Sequence, residues 1–260
     1  MISIDTNGRL VPETSEFVYS QVDRRYFFLD QPSLDLSGIF ARFERHFMGK
    51  ISITEKEFKD QINSLVQNLA DDAAHKELLS GVYVPFVIPA YLSQMDLGEA
   101  FAELVNLVEK SFASEFQKYE FHDYTDKNYS KNMQIVPTSR IDETYKKLKS
   151  GDLIGLYFPA ALAGFAIPSQ RDAIGRLDRK FALSGPLEVA CAFIGSPSLL
   201  MKSGENYPNG LVIAGVQSVE PNQRNDFWYF EAYGFNLNIN CRSMVGPASE
   251  YFSGGLTLVD

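Results

Sequence analysis

The spacing of apolar residues changes midway along the chain. In the first half they recur every three or four positions, as on one face of an α-helix, whereas in the second half they form short continuous runs such as Leu153–Phe158 and Leu211–Val219. Such runs, bounded by frequent glycine and proline, are typical of buried strands. The change predicts an α+β fold, with a helix-rich part in residues 1–130 packed against a mainly antiparallel or mixed β-sheet built largely from residues 131–260.

The helices are predicted with defined ends. Thr54 and Glu57 form a capping box, in which each side chain accepts a hydrogen bond from the other residue's backbone amide, ahead of an apolar stripe. Asp96 is placed to cap a helix of about five turns, whose apolar stripe runs from Leu97 to Phe116. A shorter helix begins at Pro186, because proline at the first helical position has no amide hydrogen to satisfy. Two further helices are predicted to carry Leu36, Phe40, Phe43 and Phe47, and Ile141, Tyr145 and Leu148.

Residues 227–240 are predicted to form one long strand. Alternate positions give one face with apolar and aromatic side chains throughout, interrupted only by Glu231 between Tyr229 and Tyr233. The opposite face changes from aromatic to amide side chains and ends with Asn236, Asn238 and Asn240. The carboxyl group of Glu231 therefore needs a partner or a proton, since burying a bare charge costs several kcal/mol.

Three weaker strands are predicted at Arg24–Asp30, Val82–Ile88 and Met133–Val136. Pro85 places the second of these strands at a sheet edge or a bulge, because proline cannot donate to a strand ladder. The first half holds too few strands for a sheet of its own, so we expect a single domain over residues 1–260. The alternative is two tightly packed halves that meet in the polar stretch 119–131, which lacks a helical period.

The chain carries a net charge of −9, and all of it lies in the first half. Residues 1–130 hold 12 Lys and Arg against 21 Asp and Glu, whereas the two classes balance in residues 131–260. A surface of this sign repels phosphate groups, which argues against binding to nucleic acids or to anionic membranes. No apolar run approaches the roughly 20 residues that a membrane span needs, so no membrane association is expected.

The two cysteines, Cys191 and Cys241, are expected to be reduced and buried, because a disulfide framework needs a denser cysteine pattern. The opening residues, Met1–Leu10, lack the charged and apolar regions of a secretory leader. These two observations lead us to expect a cytoplasmic protein.

Histidine is scarce, with three residues at positions 46, 75 and 122. His122 and Asp123 are similar to the adjacent ligands of metal-dependent phosphohydrolases, which also need a further histidine upstream and an aspartate downstream. The pair lies in a polar, tyrosine-rich stretch, so a solvated loop is the simpler interpretation and no metal is expected. The serine elbow Gly-x-Ser-x-Gly and the glycine-rich phosphate loops are absent from the sequence, so no cofactor is expected.

Glu231 is the main candidate for a catalytic or ligand-binding group, with Tyr229 and Tyr233 as its neighbours. Functional sites concentrate carboxyl groups in apolar surroundings, where burial raises the pKa. An ion pair with Arg224 or Arg242 would instead give Glu231 a structural role. The sequence leaves both interpretations open.

Acidic residues also gather between positions 96 and 126, where eight stand against two lysines. Glu99, Glu103 and Glu115 belong to the predicted helix, and the first two are four positions apart, where like charges repel. This pattern fits a solubilising surface, and it also fits a docking surface for a basic protein. We favour a non-catalytic protein that binds another protein, with an enzyme or small-ligand-binding protein built around Glu231 as the alternative.

Overall fold

The computed structural model describes residues 3–11, 29–125, 129–201, 208–219, 226–243 and 252–259. Its α-helices are α1 (Leu36–Phe47), α2 (Glu55–Ala70), α3 (Leu97–Glu115), α4 (Tyr129–Asn132), α5 (Ile141–Lys147), α6 (Ile167–Ala173) and α7 (Pro186–Gly195). Its strands are β1 (Ser3–Ile4), β2 (Leu10–Val11), β3 (Val84–Ile88), β4 (Phe121–Asp123), β5 (Met133–Ile135), β6 (Leu153–Phe158), β7 (Phe181–Leu183), β8 (Gly210–Val212), β9 (Val216–Ser218), β10 (Asp226–Tyr233), β11 (Asn236–Ser243), β12 (Phe252–Gly254) and β13 (Leu256–Val259). The predicted α+β class is confirmed, with the long helices in the first half and most strands in the second.

Two larger sheets combine strands from both halves of the chain. The first has the strand order β12-β8-β10-β11-β4, and the second has the order β3-β6-β13-β7. The second sheet is antiparallel throughout, whereas the first also contains the parallel pairs β11–β4 and β12–β8. The first half of the chain therefore supplies one edge strand to each sheet.

Helix α7 lies between the other layers, and each of its 10 residues is buried. It packs against α1, α3 and β3. Ser111 of α3 donates through Oγ to the carbonyl oxygen of Ile194 at 2.8 Å. The ring of Phe193 lies 4.6 Å from that of Phe230 in β10, measured between ring centroids. One face of the five-stranded sheet therefore packs on α7.

The predicted helix starts are confirmed. Oγ1 of Thr54 accepts from the Glu57 amide at 3.3 Å, and Oε2 of Glu57 accepts from the Thr54 amide at 2.7 Å, which completes the capping box of α2. Oδ1 of Asp96 accepts from the Gly98 amide at 2.9 Å at the start of α3. Helix α7 begins at Pro186, as its sequence predicts. These signals succeed because each depends only on residues within one helical turn.

Two strand predictions are wrong. Residues 227–240 belong to a hairpin of β10 and β11, which turns at Gly234, where the positive φ of 65° is accessible to glycine without strain. The run 211–219 contains two strands, β8 and β9, which pair in different sheets. In both cases strand-forming residues continue through the turn, so the apolar pattern does not show where the first strand ends.

The remaining strand predictions fall partly outside the described residues. Pro85 lies in β3, an edge strand, as predicted. Strand β5 corresponds to the prediction at 133–136, whereas residues 24–28 of the predicted strand 24–30 lie outside the described ranges. Among the described helices, none is long and apolar enough to cross a membrane.

Candidate functional site

Three polar residues form a row across the five-stranded sheet. The register of the hairpin places Glu231 directly opposite Asn238, and the parallel pairing of β11 with β4 places Asn238 beside His122. Paired residues in neighbouring strands point to the same face of a sheet, so these three side chains share one face. It is the face opposite to the one through which Phe230 packs on α7, because Phe230 and Glu231 are consecutive in β10. We call these three residues the polar row.

The hairpin also brings the amide side chains of β11 to the Glu231 face. A single long strand would place Glu231 and Asn240 on opposite faces, as the sequence predicts. The turn at Gly234 reverses the chain and resets the alternation, so that Asn240 lies opposite Tyr229. Glu231 and the asparagines therefore belong to one surface.

Glu231 is half-buried, and this burial raises the pKa of its carboxyl group. A hydrogen bond from the Asn240 side chain and the positive charge of Arg242 act on that pKa in the opposite direction. Arg242 lies opposite Phe227, so its backbone is about 13 Å along β11 from that of Asn238. The other predicted partner, Arg224, lies outside the described residues.

The two tyrosines that flank Glu231 have different environments. Tyr229 is 4% exposed, and its ring lies 4.6 Å from that of Phe252 in an edge-to-face arrangement. Tyr233 is 79% exposed, because it is the last residue of β10 before the turn. The expectation that this whole face is core-like is therefore wrong at the hairpin end. Glu231 lies at the border between the buried and the exposed parts of the face.

Asn238 is the least satisfied member of the polar row. It is only 5% exposed, and its Oδ1 atom is buried without a hydrogen-bond partner in the described part of the chain. Leaving a buried acceptor unpaired costs about 1–3 kcal/mol.

His122 and Asp123 do not form a shared metal site. Consecutive residues of a strand point to opposite faces, so only His122 belongs to the polar row. Asp123 instead accepts hydrogen bonds from Oγ1 of Thr125 at 2.7 Å and from the Tyr129 hydroxyl at 3.1 Å. Nε2 of His122 lies 3.3 Å from Oε2 of Glu120. Over the described ranges, no group of three or more His, Cys, Asp or Glu side chains is arranged to hold a metal ion.

Three exposed aromatic side chains lie in or next to β10, β11 and β4. Tyr124 directly follows β4 and is 59% exposed, and Phe235 in the hairpin turn is 43% exposed. The Phe235 ring stacks on that of Tyr119 at 4.9 Å, and the His122 ring lies 5.7 Å from that of Tyr124. We define the β4 edge surface as the polar row together with Tyr124, Tyr233 and Phe235. The other exposed large hydrophobic residues within the described ranges are Val11 and Met48.

The acidic residues of α3 do not form one free surface. Glu99 is exposed, but Oε1 of Glu103 accepts from the Tyr91 hydroxyl at 2.6 Å and from Nζ of Lys50 at 3.0 Å. Oε1 of Glu115 lies 3.4 Å from the Arg42 guanidinium. Two of the three predicted docking carboxylates, those of Glu103 and Glu115, are therefore already paired with residues of α1 or of the segments that follow it. The sequence pattern does not reveal these contacts.

Sequence reasoning missed a second carboxyl group, that of Glu188, which is fully buried in the first turn of α7. Its Oε2 accepts from the Tyr145 hydroxyl at 2.8 Å, and its Oε1 has no hydrogen-bond partner among the described residues. Burial raises the pKa of Glu188 to about 7. The sequence does contain a signal for this burial, because α7 is apolar on all sides, which is typical of a buried helix. Its one acidic residue is then expected to be buried too.

Gly185 allows the side chains of Glu188 and Tyr145 to approach each other closely, because it has no Cβ atom. A Cβ atom at that position would lie 2.4 Å from Oε2 of Glu188 and 2.5 Å from the Tyr145 hydroxyl oxygen. Burial also raises the pKa of the Cys191 thiol, one turn further along α7, well above its usual value. The thiol is therefore neutral and lacks the thiolate character of a nucleophile.

Comparison with known proteins yields no relative. No family model matches the chain, and no curated protein or solved structure matches it either.

Proposed function

We propose that this protein acts by binding a basic segment of another protein through the β4 edge surface. The observation that carries the proposal is the exposure of three aromatic side chains in or next to β10, β11 and β4. Tyr124, Tyr233 and Phe235 are exposed in this part of the sheet, whereas large hydrophobic residues are otherwise rarely exposed in the described ranges. Tyrosine and phenylalanine are enriched in protein–protein interfaces, where they contribute much of the binding free energy.

The position of the surface at a sheet edge supports the same proposal. Strand β4 is the last strand of the five-stranded sheet and has only three residues. An edge strand offers backbone donors and acceptors to an added segment, and proteins use such edges for peptide recognition. A short edge limits this pairing, so the aromatic side chains would have to supply most of the affinity.

The charge of the surface favours a basic partner. Glu120, whose side chain is 73% exposed, and the half-buried Glu231 both carry carboxylates here. The half of the chain that contains β4 holds the whole net charge of −9. Complementary charge accelerates association and disfavours nucleic acids and other polyanions as partners.

The arrangement supports binding better than acid–base catalysis. Strand β11 separates β4 from β10, so the backbones of His122 and Glu231 are about 10 Å apart, which is twice the spacing of neighbouring strands. The imidazole of His122 lies next to Glu120 instead. Catalysis by a paired acid and base would require the two groups to reach one reacting atom.

We also infer a cytoplasmic location. Cys191 and Cys241 are both free thiols, and free thiols are usual in proteins of reducing compartments. A cytoplasmic partner with a lysine- or arginine-rich segment fits this inference.

The test compares two surface variants in affinity purification from native lysate. Tyr124→Ser combined with Tyr233→Ser removes two exposed rings, so the fold should be unchanged. Met48→Asn is the matched control, because Met48 is 78% exposed, lies outside the β4 edge surface and has a left-handed backbone that asparagine tolerates. We expect one basic protein to be retained by the wild-type chain and by the control, and to be lost with the double variant.

A titration with the purified partner completes the test. The dissociation constant should rise at least about tenfold in the double variant, which corresponds to about 1.4 kcal/mol. It should also rise with added salt. An unchanged dissociation constant, or a partner that is acidic or a nucleic acid, would contradict the proposal.

A further inference from the structure

Arg171 of α6 is held in place by backbone oxygens and has no acidic partner in the described part of the chain. Its Nε donates to the carbonyl oxygen of Ala214 at 3.3 Å, and its Nη2 donates to that of Val216 at 3.0 Å. Desolvation lowers the pKa of Arg171, and no acidic group among the described residues acts against this effect. Arginine stays charged in proteins, so Arg171 presents a positive charge that the described residues do not neutralise.

The donors of Arg171 that remain unused form a fork. A guanidinium has five N–H donors, and the two carbonyl contacts occupy the edge that Nε shares with Nη2. The opposite end of the group therefore keeps two parallel N–H donors, one on Nη1 and one on Nη2. Arg171 is partly exposed, and Nη1 is neither bonded to a described residue nor enclosed by the protein. The fork is thus fixed in position and accessible from outside.

We propose that Arg171 binds the carboxylate group of a small molecule. Two parallel N–H donors match the two oxygens of a carboxylate, and bidentate charge-assisted pairs of this kind are strong and directional. The carbonyls of Ala214 and Val216 already order the arginine side chain, so binding does not have to supply the free energy for ordering it. One carboxylate also balances one guanidinium, whereas a phosphate ester brings a charge of about −1.5 to −2 at neutral pH.

The site lies away from the β4 edge surface and does not depend on the proposed function. Ala214 and Val216 lie between β8 and β9, and two strands, β10 and β11, separate β8 from β4. At the usual strand spacing, β8 and β4 are about 14 Å apart. Residues 131–260, which include the whole site, carry no net charge. The acidic character of the first half therefore does not argue against an anion here.

The experiment titrates sodium acetate into the ¹⁵N-labelled full chain at constant ionic strength, with acetamide and sodium phosphate as comparison probes. The Nε–H resonance of Arg171 reports on the guanidinium directly, in the wild-type protein. We expect a saturable shift with acetate. Acetamide has the same shape without the charge, so it should bind at least about tenfold more weakly. Phosphate should also bind more weakly than acetate.

Two variants locate the site. Arg171→Lys keeps the charge but removes the planar fork, so the affinity for acetate should fall at least about fivefold, as monitored by the backbone amide of Val216. Arg179→Lys makes the same exchange at an exposed position eight residues away and should leave the affinity unchanged. The thermal midpoint of each variant shows whether the fold is retained, and the wild-type titration remains decisive if Arg171→Lys is unstable.

Four results would overturn the inference. They are the absence of a saturable acetate shift at Arg171, equal affinity for acetamide, tighter binding of phosphate than of acetate, and an equal loss of affinity in Arg179→Lys. None of these results bears on the partner that the β4 edge surface is proposed to bind. Conversely, loss of that partner in the tyrosine double variant would leave acetate binding at Arg171 unchanged.

Discussion

Substitution of Glu188 by glutamine tests whether the buried carboxyl group is protonated in the folded protein. Glu188 is fully buried, and the Tyr145 hydroxyl donates to its Oε2 at 2.8 Å. Its Oε1 has no partner within the described ranges, and burial raises the pKa of the group to about 7 from 4.5. Glutamine has nearly the same shape and can accept the same hydrogen bond, but it does not titrate.

The magnitude follows from the difference in pKa between the folded and unfolded states. Between pH 4.5 and about 7 the folded chain holds a proton on Glu188 that the unfolded chain has released. The stabilisation is complete below the pKa of Glu188 in the unfolded chain, and it is lost as the pH rises through the pKa of Glu188 in the folded chain. Since one pKa unit corresponds to about 1.4 kcal/mol, Glu188 should make the free energy of unfolding fall by about 3 kcal/mol between pH 4 and pH 8.

Urea denaturation at several pH values provides the assay. The chain has one tryptophan, Trp228, which is 4% exposed and whose fluorescence should therefore respond to unfolding. The quantity to plot is the free energy of unfolding of wild type minus that of Glu188→Gln. Other titrating groups cancel in this difference. One of them is Asp72, whose pKa is lowered by hydrogen bonds from Lys180 and His75, and which therefore stabilises the fold as the pH rises above its unfolded pKa.

The expected result is a difference that decreases by about 3 kcal/mol from pH 4 to pH 8. Glu109→Gln, at an exposed site on α3, should give a nearly flat difference and serves as the control. A flat difference for Glu188→Gln as well would refute the reasoning, because it would mean that the buried carboxyl group titrates alike in the folded and unfolded chains.

Two further predictions concern α3, and urea denaturation measures both. Leu104→Ala should lower the free energy of unfolding by about 2–5 kcal/mol, because Leu104 is fully buried and its removal leaves a cavity; an unchanged midpoint would show that the apolar stripe does not face the core. Glu103→Gln should lower it by about 0.5–1.5 kcal/mol, since Glu103 accepts from Tyr91 and Lys50; a higher midpoint would show that repulsion from Glu99 outweighs these contacts.

The helices could be predicted from the sequence because their signals are local. The capping box at Thr54 and Glu57 and the cap at Asp96 involve residues at most three positions apart. Apolar stripes at helical spacing also identify the buried side of each helix, as Leu104 illustrates. Such patterns depend on the helix alone and need no knowledge of what packs against it.

The candidate site could not be predicted because it depends on pairing between distant strands. His122 and Asn238 are more than 100 positions apart, and only the parallel pairing of β4 with β11 makes them neighbours. The turn at Gly234 has a comparable effect at short range, because it moves the asparagines of β11 to the face of Glu231. The alternation of a strand fixes its two faces but does not reveal where the strand ends.

Solvent access explains why Glu231, rather than Glu188, is the carboxyl group to which we assign a binding role. Both have a pKa that is raised by burial, so the direction of the shift does not distinguish them. Glu188 is fully buried and packs against Tyr145 and Gly185. Even a Cβ atom on Gly185 would be too close to the Glu188 carboxyl group, so a ligand could reach this group only if the core opened. Glu231 is half-buried, and the exposed Tyr233 lies two residues away on the same face of β10. Its charge therefore remains available to a partner, whereas that of Glu188 mainly sets the pH dependence of folding.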